Sequence, residues 1–115
     1  METSPFPERN AEQVLDFIAQ HKHNPNFVIL DVRSKLERLK IRIPEAMNID
    51  FHSGDFKEKL AELDANKTYL VHCAVGGRAG KTCQMLKDMG FEDVTNFRGT
   101  LEELKKLGLK TTWGV

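Results

Sequence analysis

The sequence has little of what marks several common protein classes, beginning with cysteine. The chain of 115 residues contains two cysteines, Cys73 and Cys83. These are too few for a disulfide framework, and they form neither a CxxC pair nor a zinc-ligand spacing with histidine. Nor is there an excess of charge, because 17 lysines and arginines balance 17 aspartates and glutamates. General nucleic-acid binders use excess positive charge to neutralise phosphates, so we expect no nucleic-acid partner.

Long apolar runs are also absent. No stretch approaches the roughly 20 residues of a membrane-spanning helix, and the N-terminal METSPFPERN lacks the apolar core of a secretory signal. We therefore expect no membrane partner and a soluble, cytoplasmic protein, with a periplasmic location left open if a leader was removed. A chain of this length fits one domain, which can bury roughly two thirds of its unfolded surface and needs no disulfide or structural metal to fold.

The apolar pattern predicts strands that alternate with helices. Continuous apolar runs at 27–32 and 68–73 are typical of strands buried on both faces, and shorter strands are predicted at 46–50 and 93–97. Helices are predicted after Asn10 with Gln13 in a capping box, and over 34–40, 54–63, 81–89 and 100–107. This alternation predicts an α/β domain with a mostly parallel sheet and helices on both faces.

The stretch HCAVGGRAGKT, residues 72–82, resembles two phosphate-binding motifs and completes neither. A P-loop, GxxxxGK[ST], counted back from Gly80, would need a glycine where the chain has Val75. The tyrosine phosphatase pattern HCxxxxxR places five residues between its cysteine and arginine. Only four residues separate Cys73 from Arg78. The loop is therefore one residue too short for that phosphate site.

What remains is Cys-x-x-Gly-x-Arg between a predicted strand and a predicted helix. Two glycines allow the backbone N–H groups to curl inward as an anion-binding nest, and the helix that follows adds the positive end of its dipole. Cys73 at the base of this nest is expected to favour the nucleophilic thiolate. Arg78 supplies a forked cation suited to an oxyanion. Because ligands bind at the carboxyl ends of parallel strands, this loop is the predicted site.

The chain resembles the single-domain rhodaneses, a sulfurtransferase family whose active loop is this six-residue Cys-x-x-Gly-x-Arg. The similarity covers about residues 10–109. It includes LDVRS and RIPEAMNID within 30–50, similar to the family's Asp-Val-Arg and Ile-Pro-x-Ala-x-Asn-Ile segments, and MLKDMGFEDVTNFRGTLEEL at 85–104. The resemblance implies a single rhodanese-like domain over 1–115, with a mostly parallel five-stranded sheet and helices on both faces.

The resemblance also implies the chemistry of a thiosulfate sulfurtransferase. Cys73 would take the outer sulfur of a small anionic donor such as thiosulfate as a persulfide, then pass it to a thiol, cyanide or protein acceptor. No cofactor and no metal are implied. Asp31 and Arg33 are expected to support the loop. The backbone N–H groups that would hold the persulfide belong to Ala74, Val75, Gly76, Gly77, Arg78 and Ala79.

Some positions outside the cysteine loop depart from the family pattern. Because they lie outside the loop, we expect the chemistry of Cys73 to be unchanged. The shape of the entrance to the site, and therefore the identity of the substrate, is left open. The segment 35–42 is unusually basic, and we expect it to be a solvated helix face, with the docking of a partner as the alternative. The substituted positions are Ile41-Arg42 (usually Gly-His), Glu45 and Thr100 (usually glycine), and Leu104 (usually tryptophan).

The other cysteine and the histidines are expected to be structural. Cys83 falls on the apolar face of a predicted helix, which indicates packing in the core. His72 precedes Cys73 in a strand, so its side chain should point to the opposite face. Three further histidines are expected at the surface: His21, His23 and His52.

These observations lead to three alternative hypotheses about function. The leading hypothesis is a persulfide-forming sulfurtransferase, and the rival is a non-enzymatic rhodanese-like module used for binding or regulation. Inactive relatives typically lose the cysteine, whereas this chain keeps the cysteine, both loop glycines and the arginine. The third function, a small oxyanion phosphatase or arsenate reductase, is disfavoured by the short loop.

Overall fold

Five parallel strands form the sheet. In a computed structural model that describes residues 4–115, they are β1 (Glu8–Arg9), β2 (Phe27–Asp31), β3 (Met47–Asn48), β4 (Thr68–His72) and β5 (Val94–Phe97). Their order across the sheet is β1-β5-β4-β2-β3, and each neighbouring pair runs parallel. The α/β class and the five-stranded parallel sheet are confirmed. The two longest strands, β2 and β4, lie side by side near its centre.

The strands alternate with five short helices, three of which begin at a capping box. These three start after a residue whose side chain accepts the backbone N–H three positions later, namely Asn10, Ser34 and Thr100. Thr100, a departure from the family pattern, thus starts a helix. The helices are α1 (Ala11–Gln20), α2 (Lys35–Lys40), α3 (Phe56–Ala61), α4 (Gly77–Asp88) and α5 (Leu101–Lys106).

The helices cover both faces of the sheet, as predicted. Successive strand residues point to opposite faces, so Leu30 and Val71 pack in one apolar cluster with α3 and α4. Ile29 and Leu70 pack in a second cluster with α1 and α5. Leu104, where the family usually has tryptophan, is fully buried in this second cluster.

Two elements differ from the prediction by more than one or two residues at their ends. Helix α4 begins at Gly77 rather than at Lys81, because Gly76 turns the chain with a φ of +120°, a value that glycine adopts readily. The first residues of the helix therefore belong to the predicted loop. Strand β1 was not predicted, since its two residues form a short pairing with β5 and carry no apolar periodicity.

Within residues 4–115, none of the helices is long and apolar enough to cross a membrane.

Candidate active site

Cys73 follows directly after β4, at the carboxyl edge of the sheet where the sequence predicted the site. Its side chain is 2 % exposed. The backbone N–H of Gly76 donates to Cys73 Sγ at 3.1 Å, and that of Ala79 donates to the same atom at 3.3 Å. These two donors form a small nest around the sulfur, and such a nest stabilises negative charge on it.

Gly76 gives the loop its shape. Besides its positive φ, an added Cβ at this position would lie 3.2 Å from Arg98 Cα and 3.2 Å from the Phe97 carbonyl oxygen. The Asn96 amide donates to the Gly76 carbonyl at 3.3 Å and anchors the turn on β5. At Gly77, by contrast, an added Cβ would meet nothing within 4 Å. The turn therefore requires a glycine at the first of these two positions only.

Arg78 lies in the first turn of α4 and pairs with Glu37 of α2. Arg78 Nη1 donates to Glu37 Oε1 at 2.8 Å, and Nη2 donates to Oε2 at 2.7 Å. The hydrogen bonds from Arg78 are the main reason that the pKa of Glu37 falls to about 2, and the same bonds raise the pKa of Arg78. The predicted forked cation is present, but a donor anion would have to share it with Glu37.

Sequence reasoning missed Glu37. The residue completes the capping box of α2 with Ser34, and that spacing is the only local signal it carries. Its partner Arg78 is 41 residues away, so no pattern within one element could reveal the pair. Glu37 thus ties the start of α4 to the start of α2 across the site.

Asp31 and Arg33 form the buried base of the segment that leads into α2. Arg33 donates from Nε to Asp31 Oδ1 at 3.0 Å and from Nη2 to Oδ2 at 2.9 Å, and it reaches the Ile41 carbonyl at 2.7 Å. Burial alone would raise the pKa of Asp31, but the hydrogen bonds from Arg33 and the charges of His72 and Arg33 outweigh it and lower that pKa. The pair therefore holds the wall of the site, between β2 and the end of α2, rather than bonding to the cysteine loop itself.

A cavity of about 190 Å³ opens above Cys73. Its size fits a small molecule, since pockets for drug-sized ligands begin at roughly 300 Å³. Arg33 and Ala74 lie beside the cysteine in its lining. The remaining lining residues come from α2 and its end (Glu37, Lys40, Ile41) and from the start of α5 (Leu101, Glu102).

The chain matches a known protein family over most of its length. The family profile described as "Rhodanese-like domain" matches residues 14–107. The chain belongs to this family. A solution structure of the rhodanese-like domain of the Alr3790 protein from Anabaena sp. superimposes with a TM-score of 0.74 at 27 % identity, covering 100 % of this chain and 81 % of that one.

Two curated relatives of this rhodanese-like domain carry different names. A tRNA uridine(34) hydroxylase from Cytophaga hutchinsonii is 38 % identical over 81 residues, which cover 68 % of this chain but 26 % of that protein. A thiosulfate:glutathione sulfurtransferase from Saccharomyces cerevisiae is 25 % identical over 93 residues, which cover 71 % of this chain and 67 % of that protein. The chain thus spans about a quarter of the first relative and two thirds of the second.

The residues expected to be structural in the rhodanese-like domain lie mostly as predicted. Cys83 is fully buried, and burial raises the pKa of its thiol to about 12, so it stays protonated in the core. His72 is buried with Nε2 3.7 Å from Asp31 Oδ2, and burial lowers its pKa to about 4. Because Val71 faces α4, strand alternation places His72 on the other face, away from Cys73.

Two expectations about the surface need correction. His21 is half-buried, with its ring centroid 4.3 Å from that of Phe17, because the helix end packs against aromatic residues; His23 and His52 are exposed. The basic segment 35–42 is not uniformly solvated. Arg38 Nε lies 3.4 Å from Asp31 and Arg42 donates to the Gly114 carbonyl, whereas Lys35 and Lys40 are exposed.

The part of the chain that the structure describes, residues 4–115, contains no group of three or more His, Cys, Asp or Glu side chains placed to hold a metal ion.

Proposed function

We propose that this rhodanese-like domain is a sulfurtransferase that carries sulfane sulfur as a persulfide on Cys73. The observation that supports this most directly is the pair of N–H groups, from Gly76 and Ala79, that point at the cysteine sulfur. A persulfide extends the side chain by one sulfur, and the cavity above Cys73 gives that atom space. Phosphoryl transfer is a poorer fit, because the loop is one residue shorter than a phosphatase loop.

The reaction is a two-step covalent transfer. The Cys73 thiolate attacks the outer sulfur of a small anionic donor such as thiosulfate; a new S–S bond forms, the donor S–S bond breaks, and sulfite leaves with the bonding electron pair. An acceptor thiolate or cyanide then attacks the outer sulfur of the persulfide. The Cys73–sulfur bond breaks, and Cys73 leaves as thiolate, ready for another donor. Before the first step and after the second, the two N–H groups stabilise the thiolate charge on Cys73 Sγ.

The names of the relatives agree with this proposal in different degrees. The yeast relative is named for sulfur transfer between thiosulfate and glutathione, and this chain covers two thirds of it. The hydroxylase relative is named for tRNA, but this chain covers only 26 % of it, and the zero net charge of the chain gives no general basis for binding RNA. Sulfur transfer between small molecules, or to a protein thiol, is therefore the function we infer.

The location we propose is the cytoplasm. Cys73 and Cys83 are both free thiols, and the cytoplasm keeps thiols reduced. Reduced thiols there would also be abundant as sulfur acceptors.

Steady-state kinetics with thiosulfate and cyanide test the proposal. The wild-type protein should produce thiocyanate with parallel double-reciprocal lines, the pattern of a two-step covalent transfer. Cys73→Ser should abolish turnover, because a hydroxyl does not replace the thiolate. Cys83→Ser is the matched control and should retain turnover, since Cys83 is buried away from the cavity. Turnover that survives Cys73→Ser would overturn the assignment, and a folded wild type without turnover would favour the binding module.

A further inference from the structure

We propose that Lys40 and Glu102 select the sulfur acceptor, and that this acceptor is a small zwitterionic thiol carrying both an ammonium group and a carboxylate. The inference rests on the proposed function, because it names the acceptor for the persulfide on Cys73. It is drawn from the charged side chains that line the cavity at the cysteine and from which of them already have a partner.

Four charged side chains line this cavity, and two of them are already paired. Arg33 is bound to Asp31 in a two-point contact, and Glu37 is bound to Arg78 in another. Lys40 and Glu102 are exposed. Among residues 4–115, neither takes part in an ion pair. These two side chains are therefore the charges that an incoming molecule meets without displacing an existing ion pair.

The two free charges come from different elements and have opposite signs. Lys40 lies in the last turn of α2, and Glu102 lies in the first turn of α5. A purely anionic molecule is attracted by Lys40 and repelled by Glu102, whereas a purely cationic molecule is attracted by Glu102 and repelled by Lys40. A molecule with both charges gains from both residues. The cavity of about 190 Å³ limits the part that enters to about the size of an amino acid.

A structural explanation exists for each residue alone. An acidic side chain in the first turn of a helix and a basic one in the last turn are stabilised by the helix dipole. That explanation accounts for the residue types but predicts no dependence on the charge of an acceptor. The chain supplies controls with the same dipole positions: Lys105 in the last turn of α5 and Glu58 in the first turn of α3, neither of which lines this cavity.

The experiment measures kcat/KM for four thiol acceptors, with thiosulfate as the donor at saturating concentration. Cysteine carries both charges, 3-mercaptopropionate carries the carboxylate, cysteamine carries the ammonium, and 2-mercaptoethanol carries neither. Each acceptor is compared between variant and wild type, so that differences in intrinsic thiol reactivity cancel. The variants are Lys40→Gln and Glu102→Gln, with Lys105→Gln and Glu58→Gln as controls.

We expect each substitution to change kcat/KM by an amount that depends on the charge of the acceptor. Lys40→Gln should lower kcat/KM about two- to fivefold for cysteine and 3-mercaptopropionate, the size expected of a solvent-exposed charge pair. Cysteamine should be unaffected or improved. Glu102→Gln should lower kcat/KM for cysteine and cysteamine and raise kcat/KM for 3-mercaptopropionate. Neither variant should alter kcat/KM for 2-mercaptoethanol, and the control variants should change kcat/KM equally for all four acceptors or not at all. High salt should reduce every charge-dependent change.

Several outcomes would overturn the inference while leaving the sulfurtransferase intact. Equal changes for all four acceptors would mean that Lys40 and Glu102 only support the fold. The absence of any change would mean that acceptors do not approach these residues. If wild type transfers no sulfur even to 2-mercaptoethanol and forms no persulfide, the proposed function itself fails, and the two failures are distinguishable.

Discussion

At the scale of single residues, the two cysteines differ in what surrounds their sulfur atoms. Cys73 Sγ accepts two backbone N–H groups beneath a cavity. Cys83 packs in the apolar cluster of α4, and burial raises the pKa of its thiol to about 12. Cys73 lies in the Cys-x-x-Gly-x-Arg loop and Cys83 on the apolar face of a helix, so local sequence patterns were sufficient to distinguish the two cysteines.

Replacing Cys83 should therefore preserve function. Cys83→Ala removes one buried sulfur atom, and we expect a loss of about 1 kcal/mol in the free energy of unfolding from the small cavity it leaves. Sulfur transfer should continue at close to the wild-type rate. Denaturant unfolding and turnover measured on the same preparation check both points. A folded Cys83→Ala protein without turnover would give Cys83 a role that the structure does not show.

The Glu37–Arg78 pair should act as a clamp on the loop. We expect Glu37→Gln and Arg78→Ala each to lower turnover, and the double variant to lose little more than either single one, because both changes break the same contact. Their effect on the free energy of unfolding should stay below about 1 kcal/mol, since the pair is partly exposed. Turnover with thiosulfate and with an uncharged donor measures the effect.

Comparing the two donors distinguishes two roles for Arg78: holding the loop through Glu37, and binding the donor anion. If Arg78 mainly binds the donor anion, Glu37→Gln should release the guanidinium and improve the KM for thiosulfate. If Arg78 is a clamp, Glu37→Gln should impair both donors to a similar degree.

At the scale of elements, the turn into α4 depends on one glycine of the two. Gly76→Ala places a side chain at a φ of +120° and against the backbone of Phe97 and Arg98, so we expect a loss of roughly 1–3 kcal/mol in the free energy of unfolding. The N–H groups at the sulfur should shift, and turnover should fall. Gly77→Ala, within α4 and free of contacts, should be neutral or stabilise by up to about 1 kcal/mol. Similar losses in both variants would contradict this account of the turn.

The elements also show what a sequence can predict. The alternation of apolar strands and capped helices was sufficient for the α/β sheet, because those signals lie within single elements. Strand β1 was missed because its pairing with β5 joins Glu8 to Asn96, far away in the chain. The start of α4 depends on the conformation of Gly76, and the Arg78 contact depends on how α2 docks. Features that arise from tertiary placement had no local signal.

At the scale of the whole molecule, stability should fall in mild acid because of His72. Burial lowers the pKa of His72 from 6.5 to about 4, so between these values the unfolded chain binds a proton that the folded one does not. The free energy of unfolding should therefore decrease as the pH falls from 6.5 to about 4, by at most about 1.4 kcal/mol per pH unit from this group. The pKa of Asp31 is lowered below 3.8, so its ionised carboxylate stabilises the fold at pH values above 3.8. This contribution to the free energy of unfolding is lost only when the pH falls further.

Urea unfolding at pH 7 and pH 5 measures this dependence. His72→Leu should make the difference between the two pH values smaller, since it removes the group that takes up the proton. The exposed His52 is the matched control, and His52→Gln should leave the difference unchanged. An equally large difference in wild type and in His72→Leu would assign the acid sensitivity to other groups.

The most direct test of the sulfurtransferase account is the intact mass of the protein after incubation with thiosulfate. In a Cys83→Ala background, Cys73 is the only thiol, so any sulfur gained can be assigned. The mass should increase by that of one sulfur atom, return to its original value after cyanide is added, and stay unchanged throughout in Cys73→Ser. A folded protein that gains no sulfur from thiosulfate, cysteine persulfide or any other sulfane donor would contradict the account and leave a rhodanese-like binding module in its place.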